Sequence, residues 1–378
     1  MILTAFLSTY IQAQDQHTKT SAGKDERIFS TTVPIILDHN RMLVDAEIQR
    51  NYGSWRKVRL WIDSGSPNFF ISEEVARDLG IDLSEAENSP NPVSNLTVPP
   101  PSVVRIGGMD LSFENVNAQV KFQPFWLFST MHIDGNLPST VLKNYHIVFD
   151  YPNLQLTIAH PGKLEPHGIP IPAYVNSATG IVQIDAVING DSLNFALDNG
   201  ASYSFISAEK LTELSGSHPD WQKIIGTVGC ANMWGWWPAN EQTFQVVRIP
   251  QIQCGKLILD ETGIVGVPKF AATGQTLGEW YSQKTAQHVD GFLGPNAFKN
   301  FRVEIDYSNS LVYFEKITEP DKHEMDLVGI SLRQLADSSY QIVGIVHKNN
   351  KPLVVGVQPG DILVCIGAFF CLSHPEKS

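Results

Sequence analysis

The chain has 378 residues, of which 43% are apolar and 17% charged, with 28 Gly and 23 Pro; this suffices for two or three domains and excludes a collagen, a coiled coil and a disordered chain. Its 27 basic and 39 acidic residues give a net charge of −12, and no run of Lys or Arg could track a phosphate backbone, so a nucleic-acid partner is not expected. No stretch approaches the ~18 apolar residues of a membrane span.

In chain order, the apolar Met1–Leu7 and the small-x-polar end Ile11-Gln12-Ala13-Gln14 make residues 1–14 resemble a signal peptide with a clipped start. A linker over 15–28 and export to a periplasmic or extracellular space follow as expectations. Leu43–Ile48 alternates as a strand, and Leu60-Trp61-Ile62 leads into Asp63-Ser64-Gly65-Ser66. Phe70-Ile71-Ser72 is a further apolar strand, whose serine could cap a short helix over Glu73–Leu79. A short helix over Thr140–Asn144 and a strand over Gln155–Ile158 come next, then a Pro-containing linker at His160–Pro172. Ile181–Ile188 is a strand, and Asn189-Gly190-Asp191 signals a hairpin.

From there the chain repeats itself. Phe195-Ala196-Leu197-Asp198-Asn199-Gly200-Ala201 restates Leu60–Ser66, and Phe205-Ile206-Ser207 restates Phe70–Ser72, with a second helix over Ala208–Leu214. A longer pair aligns Ile133–Asn153 with Val289–Asn309, identical at 8 of 21 positions and including Asp134-Gly135 with Asp290-Gly291. The second copy carries a short helix over Asn296–Asn300 and a strand over Leu311–Phe314. Two homologous, mostly β halves follow.

A single Asp-x-Gly is ordinarily a turn. Two copies in pseudo-symmetric halves can bring Asp63 and Asp198 together on a two-fold axis, where carboxylates ~3 Å apart share one proton. Such a pair activates water for amide hydrolysis with neither metal nor cofactor. Gly65 and Gly200 let the two loops pass closely.

On these residues the chain resembles the pepsin/retropepsin-like aspartic peptidases, over roughly residues 29 to 316. The family carries an apolar-apolar-Asp-Thr/Ser-Gly-Ser/Thr/Ala turn and a downstream apolar-apolar-Gly in each lobe. Asp63-Ser64-Gly65-Ser66 fits that turn. Asp198-Asn199-Gly200-Ala201 has Asn where Thr or Ser is usual. Phe292-Leu293-Gly294 is intact, whereas Asn136-Leu137-Pro138 replaces the glycine by a residue with no backbone donor and less freedom. The resemblance implies an all-β fold of two pseudo-symmetric barrel lobes with short helices. It further implies catalytic Asp63 and Asp198, with Ser64, Gly65, Ser66, Asn199, Gly200 and Ala201 shaping the pair, and a polypeptide substrate. The residue after each Asp is expected to hydrogen-bond to the opposing loop.

Trp234, Trp236 and Trp237 are candidates for a flap over a substrate cleft, with an aromatic packing cluster as the alternative. The four cysteines, Cys230, Cys254, Cys365 and Cys371, show no C-x-x-C spacing, and the 11 histidines form no H-E-x-x-H. Export would permit a Cys230–Cys254 disulfide, with buried or free thiols as the alternative. After Lys316, strands at Val328–Leu332 and Tyr340–Val346 precede Gly356-Val357-Gln358-Pro359-Gly360-Asp361-Ile362-Leu363, which resembles a segment of PDZ domains. That resemblance implies peptide capture by β-strand addition, by a module cut short at Ser378.

The expected organisation is a leader at 1–14, a linker at 15–28, lobe 1 at 29–160, an inter-lobe linker at 161–175, lobe 2 at 176–316 and a partial PDZ-like module at 317–378. An aspartic endopeptidase is the leading reading. A peptide-binding protein on the same scaffold is the first alternative. A two-carboxylate glycosidase is the second, disfavoured because its acids would not sit on a repeated turn.

Overall fold

A computed structural model describes residues 28–50, 53–89, 91, 93–122, 131–225, 244–321, 328–335, 339–366 and 369–370. The expected leader, the tryptophans 234, 236 and 237, Cys230 and Cys371 lie outside these residues.

The described chain is all-β with short helices. Lobe 1 contains β1 (Ser30–Pro34), β2 (Arg41–Gln49), β3 (Trp55–Asp63), β4 (Phe69–Ser72), β5 (Ala118–Lys121), β6 (Gly135–Pro138), β7 (His146–Asp150) and β8 (Gln155–Ala159). Lobe 2 contains β9 (Ile169–Pro172), β10 (Val182–Ile188), β11 (Asp191–Leu197), β12 (Ser204–Ser207), β13 (Leu257–Val267), β14 (Gly291–Leu293), β15 (Phe301–Asp306) and β16 (Leu311–Lys316). Alternation decides which faces are buried. In β2, Val44, Ala46 and Ile48 are buried and Asp45 is exposed; in β10, Ile184, Ala186 and Ile188 are buried while Asp185 and Val187 are exposed.

Neighbouring strands run β2-β3-β6-β4-β5 in lobe 1 and β10-β11-β14-β12-β13 in lobe 2. Directions agree as well: β3/β6 and β11/β14 are parallel, β6/β4 and β14/β12 antiparallel, β4/β5 and β12/β13 parallel. The sequence repeat is therefore a structural repeat. Asn189 and Gly190 both take positive φ, of 52° and 90°, and close the β10–β11 hairpin with the left-handed residues that its right-handed twist requires. Ser72 and Ser207 accept from the N–H groups of Val75 and Lys210, capping α1 (Glu73–Asp78) and α2 (Ala208–Gly216).

The lobes join in a six-stranded sheet ordered β1-β8-β7-β15-β16-β9. At its centre His146 faces Asp306, Val148 faces Glu304 and Asp150 faces Arg302. Val148 and Glu304 are equivalent in the repeat, so the pseudo-two-fold axis passes between them. Glu304 is fully buried there and held by His146 Nε2 at 3.1 Å, the His167 N–H at 2.9 Å and Arg302. Burial alone would raise its carboxyl; those donors bring it below its ordinary value.

Part of the expected linker is structured. Residues 169–172 form β9, which pairs with β16 as β1 pairs with β8. Pro170 and Pro172 lie on the outer strand of that sheet, where missing N–H donors are tolerated. Lobe 2's sheet continues through Lys223–Ile225 to His347–Lys348, and Ile330–Gln334, Tyr340–Ile345 and Ile362–Leu363 form a separate three-stranded sheet.

Phe149 is fully buried on β7. Phe149→Ala is expected to cost about 3–5 kcal/mol by loss of transfer energy plus a residual cavity, read as a lowered urea midpoint with an unchanged m-value.

Candidate active site

Asp63 ends β3, and Asp198 directly follows β11. Each is followed by a turn that crosses to the other lobe. A Cβ on Gly65 would overlap the Asp198 carboxylate, and one on Gly200 would overlap that of Asp63. The absent side chains are what allow the two carboxyls to sit together. Asp63 is 5% exposed and Asp198 1%.

Donors surround the pair unequally. Asp198 Oδ1 accepts from the Gly200 N–H at 2.9 Å and the Ala201 N–H at 3.2 Å. Asp63 accepts from the Gly65 N–H, and its Oδ2 lies 3.4 Å from Asn136 Nδ2. Burial raises both carboxyls above the ordinary range, and the negative charge of Asp63 raises Asp198 further. The N–H donors and the charge of Lys284 act in the opposite direction on both, and Asn136 and Lys121 do so on Asp63. The two groups titrate as one unit, with the singly ionised state displaced toward higher pH.

The residues after the aspartates meet across the lobe boundary. Ser64 Oγ accepts from the Asn199 N–H at 2.8 Å and has Leu197 O at 3.0 Å and Asn199 Oδ1 at 2.8 Å as acceptors for its own proton. The longer Asn199 side chain also reaches lobe 1, where its Nδ2 donates to the Tyr151 hydroxyl at 2.5 Å. Tyr307, the repeat counterpart of Tyr151, has a buried hydroxyl with no partner among the described residues. Ser64 stands where Asn199 stands in the other copy, and lacks the reach to serve it.

Pro138 does not break its strand. It is extended at φ −83°, pairing in register with Asp63, and its counterpart Gly294 is also extended at φ −92°. The glycine position requires no left-handed freedom, contrary to the sequence-based expectation. The lost donor is matched by a lost acceptor. In lobe 2 the Gly294 N–H donates to Ser204 Oγ at 3.0 Å, whereas the residue equivalent to Ser204 in lobe 1 is Phe69.

Three contributions were not foreseen from sequence. Asn136, fully buried where lobe 2 has Phe292, donates to Asn68 O at 3.0 Å and accepts from the Phe70 N–H at 2.6 Å, which aims its amide at Asp63. A polar residue in an apolar slot of the repeat was its only signal. Tyr281, on α3 (Leu277–Tyr281), donates to the Gly65 carbonyl at 2.6 Å. Asp134 and Asp290, visible as repeat identities, each accept from the backbone N–H four residues before the aspartate, at Arg59 (2.7 Å) and Asn194 (2.8 Å), fastening β6 to β3 and β14 to β11. Of the remaining expected residues, the Ser66 carbonyl accepts from the Ser139 N–H at 2.9 Å, and Ala201 is fully buried.

Among the described residues no group of His, Cys, Asp or Glu could hold a metal, and no helix is long and apolar enough to cross a membrane. Cys254 is buried, and burial raises its thiol; its expected disulfide partner Cys230 lies outside the described residues.

No family model and no curated protein matches the sequence. Among solved structures, the chain is similar to the aspartic proteinase from Irpex lacteus, with a TM-score of 0.40 and 11% identity over 76% of this chain and 97% of that one. A likeness this distant bears on neither substrate nor activity.

Tyr151→Phe is expected to destabilise by about 1–3 kcal/mol, because a buried amide donor loses its acceptor, whereas Tyr307→Phe is neutral or stabilising; chemical denaturation of the two variants checks the contrast. A raised folded-state carboxyl contributes stability below its unfolded value, and that contribution is lost as pH rises through the folded value. Asp198→Asn, neutral at every pH, is therefore expected to melt above the wild type at pH 8 and to approach it at pH 4.

Proposed function

We propose that the chain is an aspartic endopeptidase that hydrolyses peptide bonds with water activated by Asp63 and Asp198. The observation that carries this reading is the reciprocal placement of each buried carboxylate against the other turn's glycine. Burying two acids side by side is costly, and a pair kept in such a place marks a candidate functional site.

With one proton on the pair, the ionised carboxylate takes a proton from a water lying between the two groups. The water oxygen adds to the carbonyl carbon, and the protonated carboxyl donates to the carbonyl oxygen. The tetrahedral diol then collapses: the C–N bond breaks as the departing nitrogen takes the proton held by the pair, a diol hydroxyl returns its proton to the pair as the carbonyl reforms, and the carboxylic acid and amine leave with the singly protonated dyad restored. The cross-lobe bonds of Ser64, Asn199, Tyr151 and Tyr281 tie together the turns that carry the carboxyls, and in such a mechanism a displacement of ~1 Å can cost ~10²-fold in rate. Because both carboxyls are raised, activity is expected in a bell centred above the ordinary carboxylate range.

The test is incubation of wild type and Asp63→Asn with an unbiased peptide library from pH 3 to 8, with products read by mass spectrometry. Endoproteolytic cleavage by the wild type, lowered at least ~10²-fold in the variant, is the expected result. Cleavage that survives the substitution removes the dyad from the mechanism. Peptide binding with no cleavage favours a binding protein on this scaffold.

A further inference from the structure

Lys284 ends the short 3₁₀ turn Ser282–Lys284 that follows α3. Its carbonyl accepts from Thr179 Oγ1 at 2.7 Å, and the N–H groups of Ala286 and Gln287, two and three residues on, donate to the fully buried Gln183 at 2.7 and 3.0 Å. The backbone that carries the lysine is therefore fixed on both sides.

The ammonium lies over aromatic rings, 4.1 Å from the Trp280 centroid and 5.9 Å from that of Tyr281. It has no carboxylate at ion-pair distance among the described residues. Tyr281 donates to the Gly65 carbonyl, so one ring separates Lys284 from the turn that carries Asp63. Its charge acts on both Asp63 and Asp198. Burial lowers the Lys284 ammonium, and the two carboxylates raise it without restoring its ordinary value.

A second cation approaches from lobe 1. Lys121, at the end of β5, lies 4.0 Å from the Phe70 centroid. The Phe70 N–H is bound by Asn136, whose amide reaches Asp63. The charge of Lys121 is felt by Asp63. Each lobe thus sets one half-buried ammonium on an aromatic ring beside the dyad.

If Lys284 served only to tune the dyad, a direct ion pair with either aspartate would do so more strongly. Held on Trp280 instead, it keeps a positive charge available to a third party. We infer that Lys284, assisted by Lys121, selects substrates bearing a carboxylate close to the scissile bond. This specificity rests on the peptidase reading. The carboxylate could belong to an acidic side chain or to a peptide C-terminus, and the chemistry recognised is the same.

The experiment measures binding by calorimetry, so that it does not depend on turnover. The probes are peptides whose central amide is replaced by a hydroxyethylene unit, in three matched forms: Glu beside that unit, Gln beside it with an amidated end, and Gln with a free C-terminal acid one residue away. The wild type is expected to bind one or both acid forms about tenfold more tightly than the neutral form, with the preference shrinking as salt rises. Which acid form gains identifies the source of the carboxylate. Lys284→Met is expected to bind all three alike, Lys284→Arg to keep the preference, and Lys121→Met to reduce it.

Equal binding of acid and neutral forms by the wild type overturns the inference, as does a preference that survives in Lys284→Met or an absence of binding to every form. A change in the pH profile of Lys284→Met without any change in acid preference reduces the lysine to a tuning role and overturns it as well. Cleavage dependent on Asp63 but indifferent to acidic residues would end this inference and leave the peptidase reading standing. Absence of such cleavage would end the peptidase reading by itself.

Discussion

The structure depends on the crossing of two turns in which each glycine gives up its side-chain volume to the other lobe's carboxylate. Without Cβ atoms at Gly65 and Gly200, Asp63 and Asp198 occupy one buried site. Two acids in such a place are unfavourable when both are ionised, so the pair retains a proton at pH values where isolated carboxylates have lost theirs. The surroundings address this strain. Backbone N–H groups at Gly65, Gly200 and Ala201 face the carboxylates, and Asn136 adds a side-chain donor on the Asp63 side alone.

Holding the crossing in place falls to contacts on several scales. The six-stranded sheet joins the lobes along β7 and β15, on the same pseudo-axis as the carboxyl pair. Asp134 and Asp290 fix the strands beneath each turn, and Ser64 with Asn199 ties the turns to each other. The two copies have diverged by linked changes. Pro138 removes a donor where Phe69 has removed the acceptor, and Asn199 reaches Tyr151 while Ser64 leaves Tyr307 unserved. In the first case donor and acceptor are absent together, and in the second one copy makes a cross-lobe bond that the other lacks, while each aspartate keeps its place before the glycine.

Much of this was legible in sequence, because the features concerned are local or repeated. The Asn189-Gly190 hairpin, the helix caps at Ser72 and Ser207, and the two Asp-x-Gly turns are signalled by the residues that form them. Strand β9 was hidden, since Pro170 and Pro172 read as linker and only the partner strand β16 makes an outer strand of them. Asn136, Tyr281 and Lys284 were equally hidden. Their neighbours at the site lie 73 residues away for Asn136 and 216 for Tyr281, and no periodicity reports contacts of that range.

Residue pattern and repetition were therefore enough to establish an all-β chain in two copies, with one aspartate per copy set in a turn that glycine keeps narrow. They could do so because alternation, turn conformation and capping are governed by a few neighbouring residues. The joint burial of the aspartates, the unequal donors around them and the cations beside them arise only when β7 meets β15 and the turns interlock. Desolvation and charge–charge interaction act through space, and that space exists only in the folded pair of lobes.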